Sequence, residues 1–85
     1  MKTLNLKKLV DKYKSKFNQN IITINDLIIK EMDGEPLSCN QFQAIQNYYK
    51  IRVNYIKDAI NESVFSEKSY ITRLAANFVP YKEFI

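Results

Sequence analysis

A long periodic run of apolar residues limits what this chain can fold into. Between residues 39 and 64, apolar side chains recur at steps of three or four, the spacing that places them on one face of an α-helix. The members of this stripe are Phe42, Ile45, Tyr49, Val53, Ile56, Ile60 and Val64. The spacing predicts that the stripe forms the core of a helical protein.

One uninterrupted helix over residues 39–64 would be too long for the domain. At ~1.5 Å per residue it would extend about 39 Å, whereas a compact chain of this length has a diameter of roughly 30 Å. Residues 50–54 include Ile51, Val53 and Asn54, which favour helix less than Ala or Leu does. We therefore expect a break or kink within residues 50–54, and two helices in place of one rod.

Capping residues predict further helices on the N-terminal side. An amphipathic first helix is expected from about residue 4 to 18. Thr23 with Asp26, and Ser38 with Gln41, have the spacing of capping boxes that begin a second and a third helix. Gly34 is expected to close the second helix in a left-handed conformation. The predicted buried side of that second helix is Ile24, Leu27, Ile28 and Met32.

A final helix is predicted near the C-terminus, capped by Ser66 and ended by Pro80. Its apolar face consists of Tyr70, Ile71, Leu74, Ala75 and Phe78. No segment has the alternating pattern of a strand. The predicted fold is all-α: a single domain over residues 1–85, a compact bundle of four to five short helices without a sheet.

The residue types present restrict the chemistry. One cysteine and no histidine exclude a disulfide or a Cys/His zinc site within the monomer. Without histidine or a Gly-rich phosphate loop, we expect neither enzymatic activity nor a cofactor. Cys39 is interpreted as a small packed residue. No apolar run approaches the ~20 residues that span a bilayer, and no signal peptide is recognisable, so we expect a cytoplasmic protein without a membrane partner.

The net charge of +4 is unevenly distributed. Residues 1–20 hold six Lys and one Asp, residues 21–39 hold one Lys and four acids, and residues 40–85 hold six basic and four acidic residues. A positive surface attracts nucleic acid or an acidic partner. The candidate phosphate-contacting residues are Lys7, Lys8, Lys12 and Lys16 on the first helix and Lys50, Arg52, Lys57, Lys68 and Arg73 further along. A solvated charged face is the alternative interpretation of the lysines.

Residues 23–48 also fit a helix-turn-helix, although the turn is longer than usual. Its candidate base-contacting side chains are Gln41, Gln43, Gln46 and Asn47. The acids of residues 26–35 do not have the spacing of a calcium loop and are interpreted as an acidic surface.

Residues 27–79 carry a pattern similar to a known family. It comprises Gly34-Glu35-Pro36-Leu37-Ser38, then Ile45 and Tyr48, then Ile56-Lys57-Asp58-Ala59-Ile60, and finally Tyr70, Leu74 and Phe78. This order resembles the C-terminal domain of DnaD-like primosome proteins, found in bacterial replication-initiation proteins and phage replisome organisers. The chain departs from the family pattern where Phe78 replaces a Trp and Leu74 an Ile.

The resemblance implies an all-helical domain that binds DNA, single strands in particular, through its C-terminal helix and the segment after it. It also implies replication proteins as partners. Tyr70, Leu74 and Phe78 carry over from the family motif, while Lys68 and Arg73 beside them are positioned to contact phosphates. In this interpretation an exposed Tyr70 or Phe78 stacks on a base. The alternative is that Tyr70, Leu74 and Phe78 are the buried stripe of this helix.

A second hypothesis is a protein-interaction module, such as a phage inhibitor or an immunity-type helical protein. Six Tyr and five Phe in 85 residues are more than a small core readily encloses, and the remaining rings suit an interface. A homodimer is therefore expected.

Overall fold

The computed structural model describes residues 5–14 and 21–85. These residues form α1 (Leu6–Lys14), α2 (Ile24–Met32), α3 (Cys39–Ile56) and α4 (Glu62–Phe78), followed by a short 3-10 helix over Tyr81–Phe84. The described part contains no β-strand, so the predicted all-α bundle is confirmed. None of its helices is long and apolar enough to cross a membrane.

Side-chain caps begin the helices. Both predicted capping boxes form: Asp26 N–H donates to Thr23 Oγ1 at 3.3 Å and Gln41 N–H to Ser38 Oγ at 3.1 Å, and each partner side chain accepts from the cap's own N–H. Satisfying these otherwise unpaired donors stabilises the helix starts. Gly34 ends α2 with a φ of 79°, the left-handed conformation predicted for it.

The four α-helices and the C-terminal 3-10 helix enclose one core. α1 packs against α4, α2 contacts both α3 and α4, and the 3-10 helix packs against α3. Tyr48 on α3 contacts Thr72 on α4, and Tyr55 contacts Lys68, so the two long helices run antiparallel. The buried apolar residues are Leu6, Val10, Ile24, Leu27, Ala44, Ile45, Tyr48, Ala75, Val79 and Phe84.

The end of the chain returns to the core, which the sequence patterns did not predict. Tyr81 N–H donates to the Ile22 carbonyl at 2.9 Å, and Asn47 Nδ2 donates to the Phe84 carbonyl at 2.6 Å. The Phe84 ring is only 2% exposed and meets Tyr48 edge-on, with ring centroids 5.6 Å apart. Residues 81–85 therefore hold the start of α2 against the middle of α3.

The predicted break within residues 50–54 is wrong in position. α3 continues through these residues to Ile56, and the chain turns at residues 57–60. Ile51 and Tyr55 pack against the core, and this packing outweighs propensity differences of at most ~0.7 kcal/mol per residue. Asn61, not Ser66, caps the last helix: its Oδ1 accepts from Val64 N–H at 2.9 Å, and Ser66 lies inside α4.

The predicted core stripe of residues 42–64 is wrong for most of its members. Ile45 is buried, but Phe42, Tyr49, Val53 and Ile60 are exposed, Val53 by 64% and Ile60 by 87%. α3 buries instead a neighbouring stripe, Ala44, Tyr48, Ile51 and Tyr55. Adjacent residues on a helix point about 100° apart, so two stripes coexist on α3 and only one faces the bundle.

Two other side chains predicted to be buried lie on the surface. Met32, at the end of α2, is exposed, and so is Tyr70 on α4, while Leu74 and Phe78 are half-buried. The stripe interpretation of Tyr70, Leu74 and Phe78 therefore fails at Tyr70. Residues 15–18, the predicted end of the first helix, lie outside the described residues.

Replacing Phe84 by Ala should lower the free energy of unfolding by about 3–5 kcal/mol, because a fully buried ring is removed and a cavity remains. Urea denaturation followed by circular dichroism measures the free energy of unfolding. The control Ile85→Ala, at an exposed neighbouring residue, should change that free energy by less than about 0.5 kcal/mol. Equal effects of the two variants would contradict the burial of the C-terminal segment.

The two stripes of α3 should respond differently to truncation. Ile45→Ala should cost about 2–5 kcal/mol of unfolding free energy, as core truncations do. Val53→Ala should change it by less than about 0.5 kcal/mol, because Val53 contacts mainly water and Ala favours helix. Denaturant titrations of both variants test the assignment, and a costly Val53→Ala would mean that this stripe is packed.

Candidate nucleic-acid interface

One side of α3 combines exposed apolar residues with positive charge. We define the outer face of α3 as Phe42, Tyr49, Val53 and Ile56 together with the cations Lys50 and Arg52 and the C-cap residue Lys57. The two rings are about half-exposed, Val53 is more so, and Ile56 is partly buried. Tyr49, Arg52, Val53, Ile56 and Lys57 line one shallow groove. At about 100° per residue, Arg52 and Lys57 fall on opposite sides of the apolar strip.

The charge of this face is all of one sign along its helix. Residues 39–57 contain Lys50, Arg52 and Lys57 and no acidic residue. All three are exposed, and no salt bridge joins any of them to a described carboxylate. Among the described residues, no ion pair therefore neutralises these three cations, which leaves them able to attract an anionic partner.

Behind the outer face, Tyr48 holds α3 in place. Its hydroxyl donates to the Thr72 carbonyl of α4 at 2.8 Å. Burial raises the pKa of Tyr48, opposed in part by the Arg52 charge, so the phenol stays protonated as a donor at neutral pH. The next ring, Tyr49, lies edge-on to Tyr48 with centroids 5.5 Å apart and points outward. The buried Tyr48 ring, held by its hydrogen bond, thus packs against the exposed Tyr49 ring.

The structure separates the candidate residues of the last helix. Lys68 is half-buried, with Nζ 5.2 Å from the centroid of the Tyr55 ring on α3. Burial raises the pKa of Tyr55, with a further contribution from the Glu67 charge. Tyr70 and Arg73 are exposed and one turn apart, whereas Arg73 is about 140° around the helix from Lys68. α4 therefore does not bring Lys68 and Arg73 to one face, and Phe78 is half-buried at its end.

The lysines of α1 form a separate group. Lys7 and Lys8 are exposed beside a buried Leu6. Lys12 lies over the Tyr13 ring, with Nζ 5.3 Å from the centroid. Lys16 falls outside the described residues. α1 packs against α4, so these lysines and the outer face of α3 are carried by different elements.

Two of the four candidate base-contacting amides already have structural roles. The Gln41 side chain completes the Ser38 capping box, and Asn47 donates to the Phe84 carbonyl. Gln43 donates to Asn47 at 2.9 Å while remaining exposed, and Gln46 is exposed. This weakens the helix-turn-helix interpretation. In the described residues, no group of acids, Cys or His is arranged to hold a metal ion. The interpretation of Cys39 as a packed residue is wrong, because it is free and exposed at the first turn of α3.

Sequence reasoning named Lys50, Arg52 and Lys57 but missed the apolar residues beside them, because those residues were assigned to the core. The absence of acids from residues 39–57 was visible in the sequence and is the feature that could have identified this face. The likeness to DnaD-like domains stays a prediction resting on the residues given above. Comparison of this chain with family models, with curated proteins and with solved structures finds no match.

Proposed function

We propose that this chain is a non-enzymatic DNA-binding protein whose contact surface is the outer face of α3. The observation that carries the proposal is the conjunction of exposed rings and unpaired cations on one helix that has no acidic residue. Cations that neutralise phosphates supply most of the affinity of nonspecific DNA binding. Arg52 and Lys57, on the two sides of the groove, are the residues that we assign to phosphates.

Single-stranded DNA fits this face better than duplex. A ring can stack on a base only where the face of that base is free, as it is in a single strand. Tyr49 lies in the groove between Arg52 and Lys57, so one ring and two cations lie within reach of neighbouring nucleotides. Phe42 extends the same face toward the start of α3. Duplex DNA would use the cations alone and should bind more weakly.

A role in replication initiation, as an accessory of a primosome or of a phage or plasmid replisome, rests on the likeness to DnaD-like domains. That likeness implies contacts from the last helix and the segment after it. Here that segment is folded back, with Phe84 buried and its carbonyl bonded to Asn47. We therefore assign the main contact to α3, with Tyr70 and Arg73 as secondary candidates. Replication proteins are the partners proposed with it.

A protein partner is the second candidate function. Val53, on the side of α3 that carries Tyr49, and Ile60, in the turn that follows α3, are highly exposed aliphatic residues. Aliphatic side chains cannot stack on bases as rings do, but they pack well against an apolar helix or groove. This observation favours a helical interaction module whose partner carries acids around an apolar strip.

Removing two cations from the outer face should alter the salt dependence of DNA binding. Arg52→Ala/Lys57→Ala should lower the slope of log affinity against log salt by about 1.4, or ~0.7 per lost contact with a single strand. Lys7→Ala/Lys8→Ala removes the same charge from α1 and should leave the slope unchanged. Fluorescence anisotropy with a labelled oligonucleotide at about 50–200 mM salt measures both. Absence of wild-type binding at the lowest salt would overturn DNA binding in favour of a protein partner.

Tyr49→Ala should weaken single-strand binding without changing its salt slope, because it removes stacking and no charge. The dissociation constant should rise about 5- to 150-fold, corresponding to ~1–3 kcal/mol per stacked base. Tyr70→Ala is the matched control, because the two tyrosines are similarly exposed on different helices. Loss of affinity in the Tyr70 variant alone would move the contact to α4.

A further inference from the structure

α2 carries a second exposed apolar surface, and its charge is opposite to that of α3. We define the outer face of α2 as Ile22 and Ile29 with the acids Asp26, Asp33 and Glu35. Both isoleucines are about half-exposed. All five residues line one groove beside α2, together with Ile21, Leu27, Lys30 and Gln41. Contiguous exposed apolar surface with a polar rim is typical of a contact with another molecule.

The charges of the two outer faces are opposite in sign. The groove beside α2 is lined by three acids and one Lys, whereas the outer face of α3 carries three cations, with Asp58 directly after the last of them. Both faces place these charges around an exposed strip of two or more large apolar side chains. The surfaces are thus complementary in sign and similar in their apolar character.

We infer that this chain binds a second copy of itself, with the outer face of α2 of one copy packed against the outer face of α3 of the other. Two α3 faces meeting across a twofold axis would oppose three cations to three cations, and two α2 faces would oppose acids to acids, both of which are disfavoured. Of the pairings between these faces, only α2 on α3 neutralises charge while burying apolar area. Made once, such a contact is heterologous; made reciprocally across a twofold axis, with each α2 on the α3 of the other copy, it closes a dimer.

Four charged residues of the proposed contact can be substituted without disturbing the fold. Asp33, Glu35, Arg52 and Lys57 are all exposed. Asp26 belongs to the capping box of α2 and is left unchanged. The variant Asp33→Lys/Glu35→Lys reverses only the α2 face, and Arg52→Glu/Lys57→Glu reverses only the α3 face. The control Lys7→Glu/Lys8→Glu makes on α1 the same change in net charge as the α3 variant, and a change of equal size and opposite sign to that of the α2 variant.

Sedimentation equilibrium without nucleic acid tests the docking independently of the proposed DNA binding. The wild type and the α1 control should show an average mass that rises above the 10.1 kDa of one chain as concentration approaches about 500 µM, a range that covers weak interfaces. Each single-face variant should remain near the mass of one chain. An equimolar mixture of the two should associate, because one intact α2 face and one intact α3 face are again present.

Three results would overturn the inference. The first is a wild type that stays at the mass of one chain throughout this range, which would leave the two faces to a nucleic acid or to a different protein. The second is a mixture that does not recover association, and the third is a single-face variant that associates as the wild type does. Circular dichroism of each variant, expected to match the wild type, shows that any loss of association is not a loss of folding.

Discussion

Tyr48 is the side chain on which the arrangement of this bundle depends. From the middle of α3 its hydroxyl reaches the Thr72 carbonyl of α4, and its ring meets Phe84 from the C-terminal 3-10 helix. One residue thus links both long helices and the end of the chain. A buried phenol that lost its acceptor would carry the full penalty of desolvation, so this contact selects one rotation of α3 in the bundle.

That rotation decides which of two apolar stripes becomes the core. α3 could bury the side around Tyr49 and Val53 or the side around Tyr48 and Tyr55, and both have helical spacing. Asn47 and Tyr48 face Phe84, 37 positions from Asn47 in sequence, and this distant residue fixes the choice. Periodicity within one helix contains no information on what packs against it. The stripe was therefore detectable from the sequence, whereas its burial was not.

Features set by neighbouring residues were predictable. Two capping boxes and the left-handed Gly34 depend on residues three or four apart, and all three formed as expected. The break after α3 was misplaced because propensities near Ile51 and Val53 differ by only tenths of a kcal/mol per residue, less than the packing of Ile51 and Tyr55 contributes. The candidate site was predicted only in part. Its cations are identified directly in the sequence, but the exposure of Tyr49 beside them depends on the tertiary fold.

The remaining exposed stripe has a consequence for any partner of this chain. Val53 and Ile60 contribute little to folding where they are, since large apolar side chains stabilise by about 1.5–3 kcal/mol only when buried. A contact outside the monomer would recover that contribution. In the two contacts proposed for this chain, a single strand and the α2 face of a second copy would use the same cations, Arg52 and Lys57, so they would not occupy the outer face of α3 together. Binding of one would then reduce the fraction of chains free to bind the other. Self-association and DNA binding would thus compete for the same helix face.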